Sequence, residues 1–226
     1  MRKFITSPLG RSGTTVYTLW LSFLYPRIPL GDKNSPDYKD QESVYWSYSN
    51  SKENWSYPIQ HTHSFTLFSQ APKDFERLWA RRNFFDVATS MMTAEKTDMY
   101  HMHCDQDVLT YKEKFKDTKF YFDPDEFRKK LQSVNSFSSQ INSWKNNTDT
   151  TVIELFYEEH SASPETFYNF LNLPMPESMS GWPIKMVINK YDLIDNLEEL
   201  VDIYCSTPLA LDVEKDIILT KLDSYI

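Results

Sequence analysis

The sequence predicts an α/β fold with a mainly parallel central sheet flanked by helices, and three observations predict it. Short apolar runs bounded by turn residues or charge alternate with longer helical patterns, as in strand–crossover–strand units. The first run, ending at Ile5-Thr6-Ser7, passes through Pro8-Leu9-Gly10-Arg11-Ser12-Gly13 straight into a helical pattern at Thr14-Thr15. At 226 residues the chain can bury one complete core and stays near the size where α/β domains remain single. One domain spanning 1-226 is expected, with an irregular aromatic-rich insertion at about 29-56.

Lys3 to Ser7 reads as the first strand and Thr14 to Tyr25 as the first helix. Its stretch Val16 to Tyr25, with Leu19, Trp20, Leu21, Phe23 and Leu24, is apolar but far short of the ~18 residues of a membrane span. It reads as a buried helix behind the turn. Pro29 to Ser56 carries Pro36, Tyr38, Tyr45, Trp46, Tyr48 and Trp55 with no clear period. It is either a lid or acceptor-binding loop, or a surface insertion whose aromatics pack on the core. Tyr57 to His63 and Phe75 to Arg81 read as strands, and Phe84 to Thr97 as a helix. The helix Pro124 to Lys145 opens on Asp123-Pro124-Asp125-Glu126, with proline and acids in its first turn. Thr151 to Tyr157 is the fourth strand. Ser163-Pro164-Glu165 starts a helix to Leu171, and Leu193 to Tyr204 forms the last one.

A formal net charge of -8 argues against non-specific binding to nucleic acid or anionic membrane, both of which need a basic surface. An anionic cofactor would require a local cationic pocket. The two cysteines, Cys104 and Cys205, lie far apart without C-x-x-C spacing, so neither a disulfide framework nor a zinc site is implied, and a cytoplasmic location fits. Met1-Arg2-Lys3 begins like a signal peptide, but Ser7, Pro8, Gly10 and Arg11 break the apolar run that follows. No internal repeat or low-complexity tract is present.

The turn from Ile5 to Thr15 makes a phosphate cradle. Backbone N–H groups of the turn and first helical residues lack partners within the helix, and the helix N-terminus carries roughly half a positive charge. Arg11 adds a full charge that does not titrate. Against the pattern G-x-x-x-x-G-K-[ST], Pro8 replaces the first Gly and Thr14 the Lys, leaving only Gly13 and Thr15 in place. The missing Lys, which would reach the β- and γ-phosphates, argues against phosphoryl transfer from ATP or GTP.

Three further segments follow in order. Pro58-Ile59-Gln60-His61-Thr62-His63-Ser64-Phe65 ends the second strand. Arg82-Asn83-Phe84-Phe85-Asp86-Val87-Ala88-Thr89-Ser90 ends the third strand and enters its helix, with Ser90 about two turns in, so Arg82 and Ser90 can face one anion. Val152-Ile153-Glu154-Leu155-Phe156-Tyr157-Glu158-Glu159 leads to Ser163-Pro164-Glu165-Thr166 and Phe170-Leu171-Asn172-Leu173-Pro174. With the loop Arg11-Ser12-Gly13-Thr14-Thr15, these resemble the sulfotransferases that use 3′-phosphoadenosine 5′-phosphosulfate (PAPS), over most of residues 2–174.

The resemblance implies a P-loop NTPase-like architecture and sulfuryl transfer to a hydroxyl or amine, without a metal. It implies that Arg11, Ser12, Gly13, Thr14 and Thr15 hold the 5′-phosphate, with Arg11 also neutralising charge on the leaving oxygen. Arg82 and Ser90 would hold the 3′-phosphate, and Tyr157 would lie near the adenine. His63 falls on the general base; an imidazole with an ordinary pKa near 6.5 suits that task. The chain departs from the family at His61, where Lys is usual, and at Ser64-Phe65 in place of Leu-Pro. Beyond Pro174 the basic C-terminal motif is missing; a segment from Trp182 stands there instead, with Lys185 or Lys190 to replace the lost cations. Asp32 or Glu42 would be the base if His63 is not.

The acceptor, a small molecule or glycan, is expected to meet the aromatic segment and the helix around Met91, Met92 and Met99. His101-Met102-His103-Cys104-Asp105 is dense in metal-ligand types but lacks a source for the remaining ligands, and reads as a loop near that pocket. The rival readings are a P-loop nucleotide or small-molecule kinase, and a catalytically decayed nucleotide-binding protein of the same fold.

Overall fold

The computed structural model describes residues 2–6, 9, 11–12, 14–24, 46–48, 55, 58–99, 105–161, 163–177 and 190–208, with backbone alone at 46–48, 105–108 and 190. Among the described residues, five strands form one sheet: β1 (Lys3–Thr6), β2 (Trp46–Tyr48), β3 (Ile59–His61), β4 (Phe75–Arg81) and β5 (Val152–Phe156). Every pairing is parallel and the order is β2-β3-β1-β4-β5. β1 is central, with Phe4 in register with Ile59 on one side and Glu76 on the other. The expected α/β class with a parallel sheet is present.

The helices are α1 (Thr14–Ser22), α2 (Phe65–Gln70), α3 (Phe84–Thr97), α4 (Asp105–Phe115), α5 (Pro124–Asn146), α6 (Tyr157–His160), α7 (Pro164–Phe170) and α8 (Leu197–Cys205). The chain divides into two compact units, Met1–Arg82 with Ile141–Trp182, and Asn83–Gln140 with Pro183–Ile226.

The first unit contains the sheet. Alternate strand residues Phe4, Ile59, Leu78, Ala80 and Leu155 pack with Tyr17 and Leu21 of α1 and with Phe167, Tyr168 and Leu171 at α7. The Tyr17 and Phe167 rings stack 5.0 Å apart at 16°. On the other face Arg77, nearly fully buried, donates to the carbonyls of Phe68 at 3.1 Å, Ser69 at 3.4 Å and Ala71, closing the C-terminal end of α2. The Trp144 ring, at the end of α5, covers the guanidinium at 5.7 Å.

The second unit is helical. Phe85, Ala88 and Met92 of α3 pack with Phe122, Phe127, Leu131, Tyr191, Ile194, Leu200, Val201 and Tyr204. Asn83 caps α3, its side-chain oxygen accepting from the Asp86 N–H at 2.7 Å while its amide donates to the Asp86 carboxylate at 2.8 Å. The Tyr191 hydroxyl donates to the other Asp86 oxygen. Asn196 accepts from the Phe122 N–H at 3.0 Å and donates to its carbonyl at 2.9 Å. That reciprocal pair ties the start of α8 to the approach to α5.

Several expected bounds shift. The second expected strand is shorter, Ile59–His61, with the Phe4 N–H donating to the Pro58 carbonyl just ahead of it at 2.8 Å. Leu193 to Asn196 is not α-helical: a 3₁₀ turn over Lys190–Leu193 and a bridge from Ile194 to Phe120 precede α8, which starts at Leu197. The segment 29-56, read as irregular, contains β2 at the sheet edge. The short helices α2 and α6, and α4 after the His101–Asp105 stretch, were not expected. Met92 is a core residue at 1% exposure, not part of an acceptor pocket.

Candidate functional site

β1, β3, β4 and β5 all end at one edge of the sheet, at Thr6, His61, Arg81 and Phe156. From β1 the chain proceeds to β2 on one side, and from β4 to β5 on the other. Open parallel sheets form their ligand crevice at the carboxyl ends of strands that diverge in this way. Here that point lies between β1 and β4.

Thr6 is in register with Leu78, so the chain from Trp79 to Arg82 runs about 13 Å past the end of β1. Arg82 Nη1 donates to the Arg11 carbonyl oxygen at 3.3 Å across that gap. The Arg82 guanidinium carbon also stands 4.4 Å from the Tyr157 ring centre, a cation–π distance. Glu158 Oε1 lies 3.9 Å from Arg82 Nε, a loose ion pair. The Arg82 side chain keeps 19% exposure.

The loop is held from behind. The buried Ser12 hydroxyl donates to the Leu9 carbonyl at 2.6 Å, so its oxygen closes the turn. The Thr18 hydroxyl donates to the Thr14 carbonyl at 2.7 Å and lies 2.8 Å from that of Thr6, which is itself 3.3 Å from the Gln60 carbonyl. This threonine chain ties the first turn of α1 to β1 and β3. Thr14 is buried and Thr15 half-buried, at a helix N-terminus whose first N–H groups have no intrahelical partner. Arg11 adopts φ 65°, in the left-handed region, where a residue with a Cβ costs about 1–2 kcal/mol.

His61 is buried as the last residue of β3, beside Thr6, while His63 is exposed on the bend beyond it. The rings meet edge to face at 4.9 Å. Thr62, fully buried, accepts from the Ser64 N–H at 3.0 Å, and Ser64 caps α2 by accepting from the Leu67 N–H at 3.3 Å. The bend is therefore fixed on both sides of His63.

Of the residues singled out in the sequence, Arg11, Arg82 and Tyr157 come into direct contact, and Thr14 and Thr15 stand at the same strand edge. His63 lies at the end of the neighbouring strand. Ser90 is a buried residue of α3 in the second unit. Asn83 and Asp86, the other matches in that segment, are committed to the cap and to Tyr191. Gly13, Asp32, Glu42, His101, His103, Cys104, Trp182 and Lys185, and the side chain of Lys190, lie outside the described residues. No group of His, Cys, Asp and Glu suited to a metal occurs among the described residues. No described helix is long and apolar enough to cross a membrane.

One residue of the site was missed in the sequence. Glu158 follows Tyr157 and looks like an ordinary exposed acid, yet it faces Arg82.

No family model matches the chain. No curated protein matches it either. Among solved structures, the crystal structure of a sulfotransferase from Alicyclobacillus acidocaldarius is similar at 15% sequence identity, covering 97% of this chain and 96% of that one, with a TM-score of 0.45.

Proposed function

We propose that this chain is a sulfotransferase that takes PAPS as donor and passes the sulfuryl group to a hydroxyl or amine of a small-molecule or glycan acceptor. The observation that carries the reading is Arg82, bonded to the phosphate-loop carbonyl of Arg11 and stacked on Tyr157 at the β1/β4 divergence. A fixed guanidinium against an aromatic face suits a nucleotide with a phosphate near its sugar. The loop supplies the second anion position.

The donor, when bound, supplies an activated sulfuryl group on its 5′-phosphate. Backbone N–H groups at the start of α1 and the Arg11 side chain hold that phosphate and oppose the charge left on its oxygen as the group departs. Thr14 and Thr15 add hydroxyls at the same end. Arg82 serves the 3′-phosphate and Tyr157 the base. His63, on its fixed bend at the strand edge, accepts the acceptor's proton. The absence of a P-loop Lys favours this over a nucleotide kinase.

Calorimetry tests the reading directly. 3′-Phosphoadenosine 5′-phosphate (PAP) should bind without magnesium, and ATP should bind at least tenfold more weakly under any magnesium concentration. Tighter binding of magnesium–ATP overturns it in favour of the kinase. PAP binding without PAPS-dependent sulfation of any component of a cell extract, followed by mass spectrometry, indicates the decayed binding protein.

A further inference from the structure

Tyr17 has a fully buried side chain whose hydroxyl finds no hydrogen-bond partner among the described residues. Its ring is well placed: it stacks on Phe167 at 5.0 Å and meets Trp20 edge to face at 5.9 Å. The hydroxyl is therefore the anomaly, because a buried unpaired polar group costs about 1–3 kcal/mol and a phenylalanine would fill the same space without that cost. Tyr168, in the same core, shows the contrast, since its hydroxyl donates to the Trp20 carbonyl.

Tyr17 belongs to the same core cluster as Ala80 and Leu155, each two residues ahead of Arg82 and Tyr157 at the ends of β4 and β5. The groups whose charge it senses are Tyr157, Glu158 and Arg82, the same three that cluster at the ends of β4 and β5. Burial first, then Tyr157 and Glu158, push its pKa above the ordinary tyrosine value, so at neutral pH it keeps its proton and can donate. A neutral donor beside a guanidinium suits an oxyanion: it adds a hydrogen bond without adding a charge that must be desolvated.

We infer that Tyr17 is a ligand-binding residue, whose hydroxyl donates, directly or through one trapped water, to the phosphate held by Arg82. This rests on the proposal that the site takes PAPS. Ligand binding then satisfies a donor that has no partner among the described residues, and α1 contributes to the site through its first turn as well as through its N-terminus.

The test is Tyr17→Phe, which keeps the stacking on Phe167. Calorimetry with PAP is expected to give about tenfold weaker binding, while the ligand-free variant melts at or above the wild-type temperature. Wild-type affinity in Tyr17→Phe overturns the inference, and a lowered melting temperature with unchanged affinity assigns the hydroxyl a structural role instead. A double-mutant cycle with Arg82→Lys adds a readout that a packing role would not move. The combined loss should fall well short of the product of the two single losses, and strict multiplicativity means that the two side chains do not share an anion. Failure of the wild-type protein to bind PAP would instead bring down the donor assignment itself, and this inference with it.

Discussion

The Arg82 guanidinium stands 4.4 Å from the centre of the Tyr157 ring and donates to the backbone of Arg11. Three segments far apart in sequence are thereby joined through one side chain at the carboxyl edge of the sheet. Arg82→Ala should weaken PAP binding by about 10- to 100-fold by calorimetry. Arg82→Lys should recover only part of this, because an ammonium cannot keep the ring face, the carbonyl and a phosphate at once.

Arg11 sets conformational ease against charge. Its left-handed φ of 65° is favourable for glycine. Arg11→Gly should therefore raise the melting temperature, by about 1 kcal/mol in stability, while turnover with PAPS falls at least 100-fold. A loss of stability in that variant would mean that the arginine side chain holds the loop together.

His63→Ala should lower turnover by about 100- to 10,000-fold with PAP affinity within twofold of wild type. Steady-state kinetics beside calorimetry separates the two. Turnover near wild type would remove His63 from the role of base and direct attention to Asp32 or Glu42.

Asn83 caps α3 through its bond to the Asp86 N–H. Asn83→Ala should cost about 1 kcal/mol in denaturant unfolding and leave PAP affinity within a few fold, because the amide side chain is spent on the helix end. A large loss of affinity with normal stability would assign it to the ligand.

Glu154 of β5 receives Lys145 and, at 2.6 Å, Arg81. Burial alone would raise its pKa, but hydrogen bonds from Lys145 and Arg81 outweigh it and hold the carboxyl below its ordinary value of 4.5. A carboxylate depressed in the folded state stabilises the protein above that ordinary value and loses the contribution as pH falls through the folded one. Wild type should thus melt above Glu154→Gln at neutral pH, and the gap should close as pH drops below about 4. A gap independent of pH would show that charge plays no part.

Regular elements with strong local signals were legible from the residues. α3 was bounded correctly because Asn83 and the 3.6-residue apolar repeat agree, and α5 because Pro124 and two acids open it. β4 was legible as a short apolar run, Leu78-Trp79-Ala80, bounded by charge. β2 was not, since three residues in a polar, aromatic stretch become a strand only by pairing with β3. The short α6 was not legible either, since its four residues are too few to show a period, although its own contact is local, the Phe156 N–H meeting His160 Nδ1 at 3.0 Å. Within the site, the loop and Arg82 stood out as motifs. The backbone twist at Arg11, the stacking on Tyr157 and the unpaired Tyr17 hydroxyl depend on segments up to about 150 residues apart. The commitment of Asn83 and Asp86 to a helix cap was hidden in the motif match, because a cap and a ligand contact call for the same residue types.

The strand order has a consequence for how the chain comes to be folded at all. β1 lies between β3 and β4, so its four residues stay without sheet partners until residues 59–81 have been made. Phe4 and Tyr17 then wait for Leu155, Phe167 and Leu171 to close their core. Every strand pairing is parallel and joins separate segments of the chain, so folding is slow relative to a helical bundle of equal size. During synthesis at about 5–20 residues per second, an apolar strand and helix remain exposed for several seconds behind the growing chain. Aggregation of this protein should be decided in that interval, by access to chaperones, more than by the stability of its finished form.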